Sequence, residues 1–347
     1  MSAKAWFKER FPIDYEKFID LNEKLFIKEP IPLHMKKWML AMGTTPFILF
    51  PLQILTGIML SFYFVPSPEM AHESVRYITE EVSLGYWVRG FHHWGAHLMI
   101  ISIFLHMMRV FFTQSYRKPR EINWVFGFVL LGLVMTISFT GYSLTYNQVS
   151  YWAMTVGTNM LAEVPLVGPF ILELLRGGPD VTTNTLTRFY TLHVWLLPLL
   201  ITLLIVVHII ILRLHGISEP EGFKKGYYAF YPTHFNKIIV VTLFLISLIS
   251  LLAVTLPPGI GVPADPLNTP LHIKPEWYFF PIFLFLKWVP LNIGLLIIGL
   301  AILGIVFWPF LEPLLAKKEK HRSMINFTIG AVTILTLIIF TLIQTFT

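Results

Sequence analysis

The chain has 347 residues, is 55% hydrophobic and only 13% charged, and carries a formal net charge of +6. A water-soluble globular protein has roughly 25% charged residues, so a soluble enzyme, a disordered chain and a soluble nucleic-acid binder are all excluded in favour of a polytopic membrane protein. With no cysteine, disulfides, thiolate metal sites, cysteine nucleophiles and thioether-linked groups are excluded too, and twelve histidines remain as candidate ligands.

Residues 1–37 mix charges with Trp6, Phe7, Phe11, Tyr15, Phe18, Leu21, Leu25 and Phe26 and contain no long apolar core. That pattern predicts an amphipathic segment on a membrane surface and no cleavable signal. Seven stretches then reach the roughly 20 apolar residues that cross a bilayer: 38–64, 89–113, 123–146, 185–212, 236–256, 290–311 and 324–346. Two other apolar segments do not suit crossing. Residues 148–176 are interrupted by Pro165 and Pro169, and 277–286 is too short, so both are expected to be helices lying at an interface or re-entering it. The expected fold is an all-α, multi-pass helical bundle.

Lysine and arginine set the orientation of such a bundle. Of the 26 basic residues, 20 fall on the side of the N-terminus and 6 on the other, while the 20 acids divide 11 to 9. The two faces therefore carry +9 and −3, which puts the N-terminus on the cytoplasmic, negative side and the C-terminus on the positive side.

Four histidines stand out. His92 and His106 are 14 residues apart in the second span, and His193 and His208 are 15 apart in the fourth. On helices these spacings return each pair to nearly one face, about 21–22 Å apart along the axis. With the two spans taken as antiparallel, His92 shares a depth with His193, and His106 with His208. Two stacked bis-imidazole sites follow, each suited to an iron porphyrin held between facing helices. Polar groups at this depth are costly and are usually functional.

Glycines repeat the interval. Gly43 and Gly57 in the first span, and Gly127 and Gly141 in the third, are each 14 apart, as expected where a bulky flat group approaches closely. Arg89 lies three residues before His92 and Arg109 three after His106, each one turn nearer a membrane surface and placed to pair with haem propionates. His93 and His97, an i, i+4 pair, point away from the His92 direction and are expected to be interhelical or interfacial. His34, His72, His215, His234, His272 and His321 are flanking or loop residues.

Local motifs add a family resemblance over nearly the whole chain. Gln53-Ile-Leu-Thr-Gly57, Gly141-Tyr-Ser-Leu-Thr-Tyr-Asn-Gln148 followed by Tyr151-Trp152, Thr185-Leu-Thr-Arg-Phe-Tyr190, the loop Gly261–Pro270 and above all Pro275-Glu-Trp-Tyr278 resemble the cytochrome b family of quinol-oxidising bc and bf complexes. Thr145 and Tyr146 replace the Pro-Trp of the family's usual run. The 15-residue interval and the P-E-W-Y form resemble the bf-type and Gram-positive branch. That branch divides the protein into a four-span dihaem subunit and a three-span subunit. Here residues 38–216 resemble the first and 217–347 the second, fused in one chain. Leu40 stands where that branch carries a haem-attaching cysteine, so no covalent haem is expected.

The resemblance implies two non-covalent b-type haems, on His92/His193 and His106/His208, and a quinol site on the positive side. Glu276 stands beside Trp277, Tyr278, Phe279 and Phe280, where desolvation raises a carboxyl pKa toward the range of a general base. By resemblance Glu276 accepts a quinol proton, with Tyr142, Phe139, Tyr278 and residues 148–160 lining the pocket. One electron would leave through a Rieske iron–sulfur protein and a c-type cytochrome. The other would cross the bilayer to a quinone near His34, Lys36, Arg213 and Lys225, completing a proton-translocating Q cycle. The resemblance further implies a homodimeric complex in a bacterial cytoplasmic membrane, in contact with lipid and the quinone pool and with no nucleic-acid partner. A dihaem anchor of another respiratory dehydrogenase or hydrogenase would share the paired histidines but lack the P-E-W-Y segment. A seven-span transporter with structural histidines would bind no haem.

Overall fold

A computed structural model describes residues 3–11, 30–37, 42–219, 224–271, 273–315 and 318–347. Leu40 and His272 lie outside the described residues, as do Tyr15, Phe18, Leu21, Leu25 and Phe26. In chain order the helices are α1 (Ala3–Arg10), α2 (Thr44–Ser61), α3 (Ala71–Glu80), α4 (Gly85–Phe112), α5 (Glu121–Ser143), α6 (Gln148–Ala162), α7 (Gly168–Arg176) and α8 (Thr183–His215). They continue with α9 (Phe230–Thr255), α10 (Trp277–Trp288), α11 (Leu291–Val306), α12 (Trp308–Leu315) and α13 (Glu319–Phe346). Strands β1 (Pro30–Pro32) and β2 (Tyr227–Ala229) form a short antiparallel ribbon that pairs Ile31 with Tyr228.

Six helices, α2, α4, α5, α8, α9 and α13, are long and apolar enough to cross a bilayer. The chain is an integral multi-pass membrane protein. The one other expected span, 290–311, is not one continuous helix. It breaks at Phe307 into α11 and α12, bent by 81°, and α11 alone, with 16 residues, rises about 24 Å against a hydrocarbon core of about 30 Å. Two local causes act at the bend. Pro309 supplies no backbone donor and suits the first turn of a new helix. Glu312, 2% exposed, is drawn to Arg117 Nη2 at 2.5 Å and Asn326 Nδ2 at 2.9 Å. The two interrupted apolar segments form the short helices α6, α7 and α10, as their prolines and length predict.

Small residues let the spans approach. A Cβ on Gly90 of α4 would lie 2.8 Å from the Ala253 Cβ of α9, the kind of contact that replaces the hydrophobic drive between helices in lipid. Leu49, Phe91, Ile100, Val134, Ile201 and Ile249 form one buried cluster, drawn from α2, α4, α5, α8 and α9. Apolar packing thus runs on past residue 217 into the C-terminal part. Helix α1 is held by charge: Arg10 pairs with Glu121 at 2.5 Å with both side chains buried, and Glu9 with Lys118 at 3.0 Å.

Candidate functional site

His92 of α4 and His193 of α8 face each other with ring centroids 6.1 Å apart and planes at 76°. His92 Nδ1 lies 2.9 Å from Thr56 Oγ1. His193 Nδ1 donates to the Ile137 carbonyl at 2.9 Å and lies 3.4 Å from Thr140 Oγ1. With both Nδ1 atoms held, Nε2 is the nitrogen left for a ligand, and partners at Nδ1 fix both tautomer and ring orientation. At the other end of the same helices His106 is within electrostatic reach of His208.

One sequence expectation needs correction here. His92 meets His193 and His106 meets His208 only if α4 and α8 run in the same direction, so these spans are parallel. Antiparallel spans would have paired His92 with His208. The unequal spacings, 14 and 15, are reconciled by a π-helical turn at Leu192–Leu196, within α8 at His193 itself. Such a turn absorbs one extra residue without changing the face presented by the rest of the helix.

The four glycines face the four histidines one to one. A Cβ on Gly57 would stand 3.3 Å from His92 Cε1, on Gly43 3.0 Å from His106 Cε1, and on Gly127 3.3 Å from His208 Cε1. On Gly141 it would overlap His193 Cε1. What each glycine admits is therefore an imidazole edge, with α2 backing the histidines of α4 and α5 those of α8.

The arginines differ. Arg89 donates to the carbonyls of Pro258 at 2.8 Å and Gly259 at 2.6 Å, tying α4 to the turn after α9. Arg109 keeps Nε and Nη2 buried with no hydrogen-bond partner among the described residues, as does His106 Nδ1, whereas the His208 ring is held by the Asn123 backbone.

A second centre adjoins the His92/His193 pair. Phe139, Thr140, Gly141 and Tyr142 are consecutive on α5: Thr140 and Gly141 touch His193, while Tyr142 lies within electrostatic reach of Glu276. Phe139 meets Phe279 edge-on at 6.3 Å, and Gly157 of α6 is packed against its ring. Tyr278 bonds Ser138 and senses both Glu276 and Tyr142. Burial pushes the Glu276 carboxyl above the ordinary carboxylate range, and burial together with Glu276 pushes the Tyr278 phenol up. The expected residues Glu276, Tyr278, Tyr142 and Phe139 thus come together, with α6 over them.

Loops fasten this pocket. Gln148 Nε2 donates to the Asn268 carbonyl at 2.6 Å, its Oε1 accepts from Asp265 N at 2.6 Å, and Asn147 Nδ2 reaches the Ile260 carbonyl at 3.0 Å. At the opposite end, Met35, Lys36, Thr44, Thr45, His234, Lys237, Ile238 and Val241 line a cleft. Of the residues expected there, Lys36 lines it. Arg213 is near His234, and His34 is buried beside Arg109, which with burial lowers its pKa. Lys225 is not among the lining residues, whereas His234 and Lys237 are. In the sequence both read as ordinary charges at the mouth of a span, so no signal set them apart.

Residues 26–216 match the family model described as cytochrome b/b6/petB, and residues 263–346 the model for the C-terminal part, cytochrome b(C-terminal)/b6/petD. The chain belongs to the cytochrome b family. It is 41% identical to the cytochrome bc complex cytochrome b subunit of Chlorobaculum thiosulfatiphilum, over 99% of this chain and 80% of that protein. Against cytochrome b6 of Heliomicrobium gestii the identity is 43%, covering 62% of this chain and 99% of the relative. A solved hyperthermophilic respiratory Complex III chain shares the fold at a TM-score of 0.74 and 24% identity, covering 98% of this chain and 99% of the other. This cytochrome b is therefore of the type found in bc and b6f quinol oxidoreductase complexes, a membership that implies b-type haem and an electron-transport role.

Proposed function

We propose that this cytochrome b holds two non-covalent b haems, on His92/His193 and on His106/His208, oxidises quinol at the Glu276 pocket and reduces quinone at the Lys36–His234–Lys237 cleft. The donor set fits the haems: four imidazoles in two facing pairs, each backed by a glycine, with Arg109 Nε and Nη2 buried and, among the described residues, unsatisfied at the His106/His208 end. Such orphaned donors are costly in a native interior, and Arg109 has the charge and fork geometry for a propionate. Haem iron at these pairs would supply reversible one-electron transfer between the two ends of the bundle.

The chain's own residues supply the proton chemistry. With its pKa raised by burial, the Glu276 carboxylate is basic enough to take a proton from a quinol hydroxyl as electrons leave. Tyr142 and Tyr278 present phenol groups beside it, and Phe139 with α6 keeps water from the pocket. At the opposite cleft Lys36, His234 and Lys237 provide cationic donors for a quinone carbonyl as it gains electrons and protons. Opposite proton traffic at the two ends gives net translocation, with the N-terminus on the side of uptake. A Rieske iron–sulfur protein and a c-type cytochrome would receive the outward electron, in a complex assembled as a homodimer in the bacterial membrane. The division at residue 217 corresponds to a four-span dihaem core and a C-terminal quinol-site part.

The observation that carries this reading is the four-residue run on α5, in which Thr140 and Gly141 serve His193 while Phe139 and Tyr142 serve the Glu276 pocket. The pocket of the proton acceptor and the electron-carrying site are thereby lined by one rigid element. Glu276→Gln in the purified complex, with haem content measured by pyridine haemochrome, tests it: quinol turnover falls with both haems retained. Full turnover would remove Glu276 as the base.

A further inference from the structure

His93 and His97, which take no part in the haem pairs, form a hydrogen-bonded chain with the quinol-site segment. Trp277 Nε1 donates to His97 Nδ1 at 2.9 Å, and His97 Nε2 lies 3.2 Å from His93 Nε2. An indole N–H only donates. His97 Nδ1 is therefore the acceptor, the neutral ring carries its proton on Nε2, and that proton points to His93 Nε2. The direction of the whole chain is set: Trp277 to His97 to His93. The same logic argues against a metal ion between the two rings, because His97 Nε2 would first have to lose the proton that the bond from Trp277 keeps there.

Around this chain the contacts are close. The His97 ring is roughly parallel to Trp277, at 6.4 Å and 25°, and packs on Tyr278 at 6.1 Å. Trp277 follows Glu276 directly, and the Glu276 carbonyl accepts from Phe279 N at 2.9 Å, closing a tight turn. A single side chain on α4 thus grips the turn that carries both Glu276 and Tyr278.

We propose that His97 is a positioning residue for quinol oxidation, which fixes the Glu276–Tyr278 turn to α4, the helix of His92, by accepting the Trp277 indole proton. The inference rests on the reading of Glu276 as the quinol-site base. Anchoring of this kind matters because small misplacements of a reacting group are expensive in rate.

The test uses the assembled complex and measures kcat/KM for quinol together with haem content. His97→Leu removes the acceptor and is expected to lower kcat/KM about tenfold with both haems retained. In His97→Asn the amide Oδ1 stands near the place of Nδ1, so activity within about twofold of the parent is expected. Trp277→Phe should reproduce the loss, and the double variant His97→Leu/Trp277→Phe should be no worse than Trp277→Phe alone. An Asn variant as impaired as Leu, or losses that multiply in the double variant, would overturn the proposal. Should His97→Leu not assemble, the opposed outcomes of His97→Asn and Trp277→Phe still decide it. Glu276→Gln assayed alongside separates the two readings. Full turnover there sinks the base assignment, whereas an impaired Glu276→Gln beside an unimpaired His97→Leu sinks only the anchor.

Discussion

The two histidine pairs are built from the same parts and finished differently. At His92/His193 every Nδ1 has a partner, supplied by Thr56, Ile137 and Thr140, and the nearby Arg89 is bonded to two backbone carbonyls. At His106/His208 the His208 ring is held by the Asn123 backbone, while His106 Nδ1 and Nε and Nη2 of Arg109 are buried with no hydrogen-bond partner among the described residues. The first pair is pre-organised by protein alone. On the proposed haem reading, Arg109 at the second pair is left for an anionic group, since burying such a charge for no return is unfavourable. The pairs also differ in what lies beside them: the Phe139–Tyr142 run of α5 joins the first to the Glu276 pocket, and the second lies at the opposite end of the same helices.

Substitutions test this contrast at decreasing amplitude. His193→Leu and His208→Leu should each remove one b haem, so that pyridine haemochrome assays fall from two haems per chain to one. Loss of neither would break the bis-imidazole reading. Next in size, Glu276→Gln should lower quinol turnover about a hundredfold without changing haem content. On the proposed role of Glu276 as base, the carboxylate is the working form and burial raises its pKa, so parent turnover should fall as pH drops through that raised pKa, and the fall should vanish in Glu276→Gln.

Smaller effects separate the two ends more finely. Gly141→Ala would overlap His193 whereas Gly127→Ala would leave 3.3 Å to His208. The former should cost about 1–3 kcal/mol of stability of the haem-loaded chain, read by thermal melting, and the latter less. Equal costs would remove the difference in fit. Arg109→Gln should weaken haem retention at the His106/His208 end about tenfold. Arg89→Gln should chiefly loosen the Pro258–Gly259 turn and change haem affinity less. Least of all, Thr56→Val should shift the midpoint potential of the His92/His193 haem by removing one Nδ1 contact, while the other haem stays put.

Much of this molecule follows from its sequence alone. Hydropathy locates the spans because lipid forces backbone hydrogen bonds inside a helix wherever the side chains are apolar. The histidine and glycine intervals mark the paired faces because helical periodicity is rigid. Motif similarity marks Glu276, and its aromatic neighbours foretell the raised pKa. Other features were set by contacts between segments far apart in sequence. The parallel run of α4 and α8 is an exception, since the second and fourth of alternately crossing spans must run the same way. The π-turn at His193 takes up the one extra residue of the 15-residue interval. The bend at Phe307 combines a local proline with a buried Glu312 whose partner, Arg117, lies 195 positions earlier. The Trp277–His97–His93 chain spans 180 positions between its first two members. No local pattern encodes that pairing, because a histidine one turn from another reads the same whether it packs, ligates or anchors until the partner helix is in place.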